Sequence, residues 1–258
     1  MRLCRFLDSS SNEPRHGFVD ADTIYPVTVN EFFRPGELPH GQPAIALSTV
    51  HLAAPVAPSK IVCVGRNYRD HAAELGNKMP EEPLLFLKPS SAVIGNDQVI
   101  KLPPQSNQVE HEGELGVVIG KTAQRLSAED NPLDYVLGYT CVNDVTARDL
   151  QRKDVQFTRG KSFDTFCPVG PVIVTGIDPT SLDVVTRLNG NIKQKGNTAD
   201  MAFPVPFLIK YISNIMTLYP GDLIATGTPA GVSRMKPDDV VEVEIEGVGV
   251  LRNKIEGQ

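Results

Sequence analysis

The sequence predicts a β-rich α+β fold. Short apolar runs rich in β-branched residues recur along the chain, and stretches with helical periodicity are few. Turn dipeptides, Asn189-Gly190 and Glu246-Gly247, also sit between strand-like flanks.

In chain order, LCRF, HGFV and TIYPV are separated by SSSNEP, DAD and PGELPHGQP, which suits a few short strands with turns. HLAAPVAPSK follows as a linker, because Pro55 and Pro58 exclude regular helix. A small N-terminal β domain is therefore expected over 1–55 and the main domain over 56–258. KIVCVG reads as a buried strand, and RNYRDHAAELG as a helix stopped at Gly76. LLFLKP, ELGVVIG and YVLGYTCVND are further strands. TRLNGNIKQKG carries the Asn-Gly hairpin signal, since both central residues of that turn need positive φ. FPVPFLIKYISNIMTLYPGD predicts a helix after Pro206, with Leu208, Ile212, Ile215 and Met216 on its apolar face. VVEVEIEGVGVLRNKI alternates at period two, as a second hairpin.

Composition narrows the function. The formal charge is −6 with no long basic run, aromatics are 6% and tryptophan is absent. Nucleic-acid binding needs clustered Lys and Arg for phosphates, and these are missing, so that class is set aside. An acidic balance does not bar a small anionic substrate held by a local cation. Cys4, Cys63, Cys141 and Cys167 form no CxxC pair and suit buried thiols in a reducing compartment. With no charged-then-apolar leader and no apolar run of membrane-spanning length, the expectation is a cytoplasmic protein without a membrane partner.

The chemistry concentrates in a few places. In His111-Glu112-Gly113-Glu114 the two glutamates share a strand face, and adjacent carboxylates repel unless a cation lies between them. Asp144 ends another apolar run and offers a third carboxylate. An oxygen-only set suits Mg²⁺, Mn²⁺ or Ca²⁺. Spacing alone also fits a solvated pair, as expected for VEVEIEG. His71 and Glu74 share a helix face, so the carboxylate can orient the imidazole as a general base; a surface cap is the other reading. Lys161 is a candidate for meeting a substrate carboxylate or an oxyanion, or else a surface lysine. Arg148 and Gln151 fall on the Asp144 side of a helix expected to begin near Asp144. The loop Thr226-Gly227-Thr228-Pro229-Ala230-Gly231 can bring backbone N–H groups to an anion, but lacks the lysine and spacing of a nucleotide loop. No G-x-S-x-G elbow supports a serine hydrolase.

Taken in order, VGRNYRDHAAELG, EEPLLFLKP, HEGELGVVIG, GYTCVNDVTARDLQ, KSFDTFCPVGP, GNTADM and PGDLIATGTPAGV resemble the fumarylacetoacetate hydrolase superfamily over about residues 60 to 255. The resemblance implies a mixed β-roll/β-sandwich catalytic domain, a homodimer, and one divalent ion, Mg²⁺ or Mn²⁺, held by Glu112, Glu114 and Asp144. It implies catalytic roles for His71, Glu74 and Lys161, and substrate contacts from Arg66, Tyr68, Arg148, Gln151 and Thr228. The expected activity is hydrolysis or decarboxylation of a C–C bond in a short 2-oxo dicarbonyl acid, an acylpyruvate or oxaloacetate, through a metal-stabilised enolate. Isomerisation of a hydroxyheptadienedioate from aromatic catabolism and oxaloacetate keto–enol tautomerisation are the alternatives, since the same residues serve each. A non-enzymatic metal-stabilised binding protein is the remote rival.

Overall fold

The computed structural model describes residues 1–8, 13–36 and 43–257. Most of the turn segments SSSNEP and PGELPHGQP therefore lies outside the described residues. The expected short N-terminal strands form as Arg2–Leu7, Arg15–Asp20 and Thr23–Val27. They do not stand apart, because Arg2–Leu7 pairs antiparallel with Cys167–Val174. Cys4, Phe6, Val19 and Ile24 consequently share one core with Leu115, Val117 and Tyr139. The linker is anchored too, where Ser59 Oγ donates to the buried Asp222 Oδ1 at 2.6 Å.

That pairing makes a 12-stranded mixed sheet. Its centre runs Cys167–Val174, Val136–Asn143, Gly113–Ile119, Leu223–Ala225, Ile61–Gly65 and Leu84–Lys88. Every residue of Gly113–Ile119 is buried, Glu114 included, in keeping with the apolar run Leu115–Ile119. A second, 5-stranded sheet holds the two expected hairpins, Asp183–Leu188 with Asn191–Asn197 and Val240–Ile245 with Gly249–Gly257. Asn189 and Gly190 both take positive φ, 52° and 77°. Glu242 and Glu244 lie on the half-exposed face of their strand, and Glu244 pairs with Arg187 at 2.6 Å, so this E-x-E pair is the solvated case.

Two expectations need correction. The apolar helix spans Val205–Ser213 and buries Val205, Leu208, Ile209 and Ile212. Ile215 and Met216 fall beyond its end, and Ile215 is exposed. The early stop follows from Ser213 and Asn214, whose side chains bond back to the Lys210 carbonyl and compete with the helix ladder. Nor does a helix begin near Asp144. Thr146–Ala147 first forms a short antiparallel ladder with Val109–Glu110, and the helix spans Arg148–Lys153.

Register decides where the chemistry collects. Gly113 pairs with Asn143, Gly116 with Ala225, and Ala225 with Cys63. The start of one strand and the ends of three others therefore meet at one end of the sheet. Strand alternation sends Glu112 and Glu114 to one face and Gly113 to the other, against the second sheet. A β-carbon at Gly113 would overlap Thr186 Oγ1 and press on both Val243 methyls. We expect Gly113→Ala to cost about 1–3 kcal/mol through overpacking, measured by denaturant unfolding. Adding Thr186→Ala should recover much of that loss in a double-mutant cycle. Strict additivity would mean that the contact between sheets is not the constraint.

Candidate metal centre and cavity

Glu112, Glu114 and Asp144 converge although 30 residues of chain separate the last two, because Asp144 N–H donates to the Glu112 carbonyl at 2.9 Å. The Glu112 N–H in turn donates to Asn143 Oδ1 at 2.9 Å. One carboxylate oxygen from each of the three lies within 4.8 Å of the others, and all three residues are buried. An oxygen-only, buried and preassembled set fits a hard divalent cation.

Each carboxylate has a different environment. Lys161 Nζ bridges Glu112 Oε2 at 2.8 Å and Asp144 Oδ2 at 2.7 Å. Arg148 holds the other Glu112 oxygen through Nη2, Glu110 Oε2 through Nε at 2.8 Å and Gln151 Oε1 through Nη1 at 2.6 Å. Lys88 donates to Asp144 Oδ1 at 2.6 Å and to the Val145 carbonyl at 3.0 Å. Burial alone would raise the Glu112 carboxyl, but Lys161 and then Arg148 hold it well below the usual range. Among the described residues Glu114 has only the Gly227 N–H as a hydrogen-bond donor, at 2.8 Å. Burial, with Asp144 and Glu112 beside it, pushes its pKa well above that of an ordinary glutamate.

The expected anion-binding loop therefore turns its N–H groups onto the protein's own carboxylates. Gly227, at φ 100°, serves Glu114, and Gly231 N–H donates to Glu74 Oε1 at 3.1 Å. Glu74 also accepts from His71 Nδ1 at 3.2 Å, which leaves Nε2 of this buried histidine without a hydrogen bond among the described residues. The Arg69–Glu74 helix is thus latched over the site by Glu74.

Behind the loop lies a closed polar network. Gln194 Oε1 accepts from Gly113 N–H at 3.0 Å and from His111 Nδ1 at 3.1 Å. Gln194 Nε2 donates to Thr228 Oγ1 and to the Pro229 carbonyl, both at 2.7 Å. His111 Nε2 then accepts from Ser233 Oγ at 2.8 Å, and burial lowers the His111 pKa, keeping the ring neutral. Thr228 Oγ1 donates to the Gly113 carbonyl at 2.8 Å, so its proton faces away from any ligand.

A cavity of about 220 Å³ opens above the triad. Of the residues anticipated from sequence, Arg66, His71, Glu112, Glu114, Asp144, Arg148, Gln151, Lys161 and Thr228 line it. Glu74 stands behind His71. Tyr68 is the exception, lying along a separate surface depression with Arg69, Lys195 and Met201. It starts the lid helix in strand-like backbone, and burial, with Glu114 nearby, pushes its phenol pKa up. Its buried hydroxyl has no partner among the described residues. Sequence reasoning missed Lys88, Glu110, Asn143, His111 and Gln194. Lys88 carried a readable signal, since a lysine inside the strand LLFLKP is buried only if it meets an anion.

With chelator present, Glu114 binds its proton more tightly folded than unfolded. Its contribution to stability is complete below the ordinary glutamate value of 4.5 and is lost as pH rises through the raised folded value. A divalent ion held by Glu112, Glu114 and Asp144 would take the place of that proton. The Tm difference between Mg²⁺ and chelator should therefore widen from about pH 5 to pH 8 in thermal melts. A Glu114→Gln variant should show no Mg²⁺ response, and a wild-type difference independent of pH would remove Glu114 from ion binding.

Comparison with known proteins places this geometry. Residues 60–256 match the model of the fumarylacetoacetate (FAA) hydrolase C-terminal family, and residues 1–55 match an Rv2993c-like N-terminal family. The chain is 47% identical to an oxaloacetate tautomerase of Bacillus subtilis, covering 81% of this chain and 74% of that protein. It is 40% identical to a mitochondrial oxaloacetate tautomerase of Rattus norvegicus, covering 99% and 91%. The solved structure of a 2-hydroxyhepta-2,4-diene-1,7-dioate isomerase from Mycobacterium marinum superposes with a TM-score of 0.88 at 40% identity, over 100% of this chain and 99% of that one. A family match over the whole main domain, joined to relatives at these identities, decides the assignment: the chain belongs to the fumarylacetoacetate hydrolase family.

Proposed function

We propose that this chain is a divalent-metal-dependent oxaloacetate keto–enol tautomerase, with Mg²⁺ or Mn²⁺ at Glu112, Glu114 and Asp144. The observation that carries the reading is the placing of a carboxylate-held base, His71, in the same 220 Å³ cavity as the buried acidic triad. The tautomerase relatives add support. A bound divalent ion would supply Lewis acidity toward the 2-oxo and carboxylate oxygens of the substrate. Within that frame His71 Nε2 takes a proton from one end of the keto–enol unit and returns it to the other, while Glu74 steadies the imidazolium. Gln151 spends its carbonyl on Arg148, so its amide N–H₂ is the part free to donate to a substrate carboxylate. Lys161 and Arg148 keep the site from becoming strongly negative, and Thr228 serves as wall.

Cleavage of an acylpyruvate, or decarboxylation of oxaloacetate, is the second reading. The same free Nε2 favours it, being suited to activating water. Isomerisation, as in the Mycobacterium marinum relative, moves a proton by related means. We further propose a homodimer in the cytoplasm, in keeping with four buried, unpaired cysteines, and an accessory role for residues 1–55.

The test follows ketonisation of enol-oxaloacetate by ultraviolet absorbance, with Mg²⁺, Mn²⁺ or chelator, and measures pyruvate in the same samples. Metal-dependent ketonisation without pyruvate is expected. Pyruvate at a matching rate would transfer the assignment to cleavage, and neither signal would sink both readings. Glu114→Ala should abolish metal-dependent turnover. His71→Ala should lose roughly 100-fold or more in rate yet keep the Mg²⁺-induced rise in Tm; an unchanged rate would remove His71 from the mechanism.

A further inference from the structure

The cations lining the cavity fall into two groups. Lys161 and Arg148 are bound to the acidic cluster and have little left to offer. Arg66 and Arg152 are uncommitted. Arg66 follows the Ile61–Gly65 strand and makes no hydrogen bond or ion pair among the described residues. It holds a left-handed φ of 58°, a conformation that costs a non-glycine residue free energy and is retained where the surroundings or a ligand compensate. Arg152 comes one helical turn after Arg148, on the same face of Arg148–Lys153. Its sole hydrogen bond among the described residues is a long one, 3.5 Å from Nη1 to Gln108 Oε1. Two guanidinium groups with no ion-pair partner among the described residues, on the wall of a small cavity in a chain of charge −6, mark a place for an anion.

We propose that Arg152, together with Arg66, reads a second carboxylate at the far end of the substrate, so that the site selects short dicarboxylates over 2-oxo acids with an apolar tail. This rests on the reading that the triad end of the cavity takes a 2-oxo acid head. Arg152 is then the specificity-determining residue, and its forked donors match a carboxylate in two-point contact. The rival is an acyl chain seated on Val64, Leu75, Phe86 and Phe157, which line the same cavity.

The experiment titrates the Mg²⁺-loaded protein with oxalate, which offers only chelating head oxygens, with malate, a 2-hydroxy acid head bearing a second carboxylate, and with 2-oxohexanoate, a 2-oxo acid head bearing an alkyl tail. Calorimetry should show wild type binding malate more tightly than 2-oxohexanoate. Arg152→Gln should weaken malate by roughly tenfold or more and leave oxalate within about twofold, with Arg152→Lys recovering part of the loss. Arg66→Gln should act in the same direction. Equal losses for oxalate and malate, unchanged malate binding, or a preference for 2-oxohexanoate would each overturn the proposal. Oxalate binding reports folding and metal loading in every variant. Oxaloacetate turnover is measured separately, so an inactive protein that still discriminates malate would fail the tautomerase reading and not this one.

Discussion

Four buried carboxylates held against three buried cations are the constraint around which this molecule is arranged. Glu110, Glu112, Glu114 and Asp144 meet Lys88, Arg148 and Lys161 at the end of the large sheet. Such a cluster is tolerable only when nearly every oxygen has a donor and the charges almost cancel. They cancel when Glu114 keeps its proton, in line with its raised pKa. Replacing that proton by a divalent ion leaves the cluster at a charge of plus one, which favours an anionic ligand in the cavity above it.

The rest of the architecture serves to hold that cluster. Gly113 lets the second sheet press against the strand between the two glutamates. Gln194 and neutral His111, reaching from the second sheet and the preceding loop, fix the Thr226–Gly231 loop from behind. That loop spends one N–H on Glu114 and another on Glu74, so the metal centre and the lid share a single rigid support. Because Glu74 also orients His71, the placement of the base depends on the same loop.

Much of the site was legible because its signals are local. Glu112-Gly113-Glu114 and His71-x-x-Glu74 are readable from strand and helix periodicity, and Asp144, Lys161, Arg148 and Gln151 from the ordered resemblance of their segments. The ends of elements were less legible. The apolar helix stops at Ser213 because local side-chain bonds to the backbone compete with helix, although hydrophobic periodicity continues to Met216. Arg66 lines the cavity and Tyr68 does not, because the left-handed φ of 58° at Arg66 breaks the strand alternation that would put residues i and i+2 on one face.

By itself, the sequence determined the β-rich class and both hairpins, which are written in spacing along a few residues, and it marked Glu112/Glu114 and His71/Glu74 as candidate pairs, with Asp144 joined to them by the ordered resemblance. Tertiary structure alone decided that Lys88 sits behind Asp144, that Gln194 clamps the loop, and that the loop N–H groups meet carboxylates of the protein itself. Those contacts join residues 35 to 157 positions apart. No local pattern specifies such pairs, because they follow from sheet register and from the need of each buried charge to find its opposite.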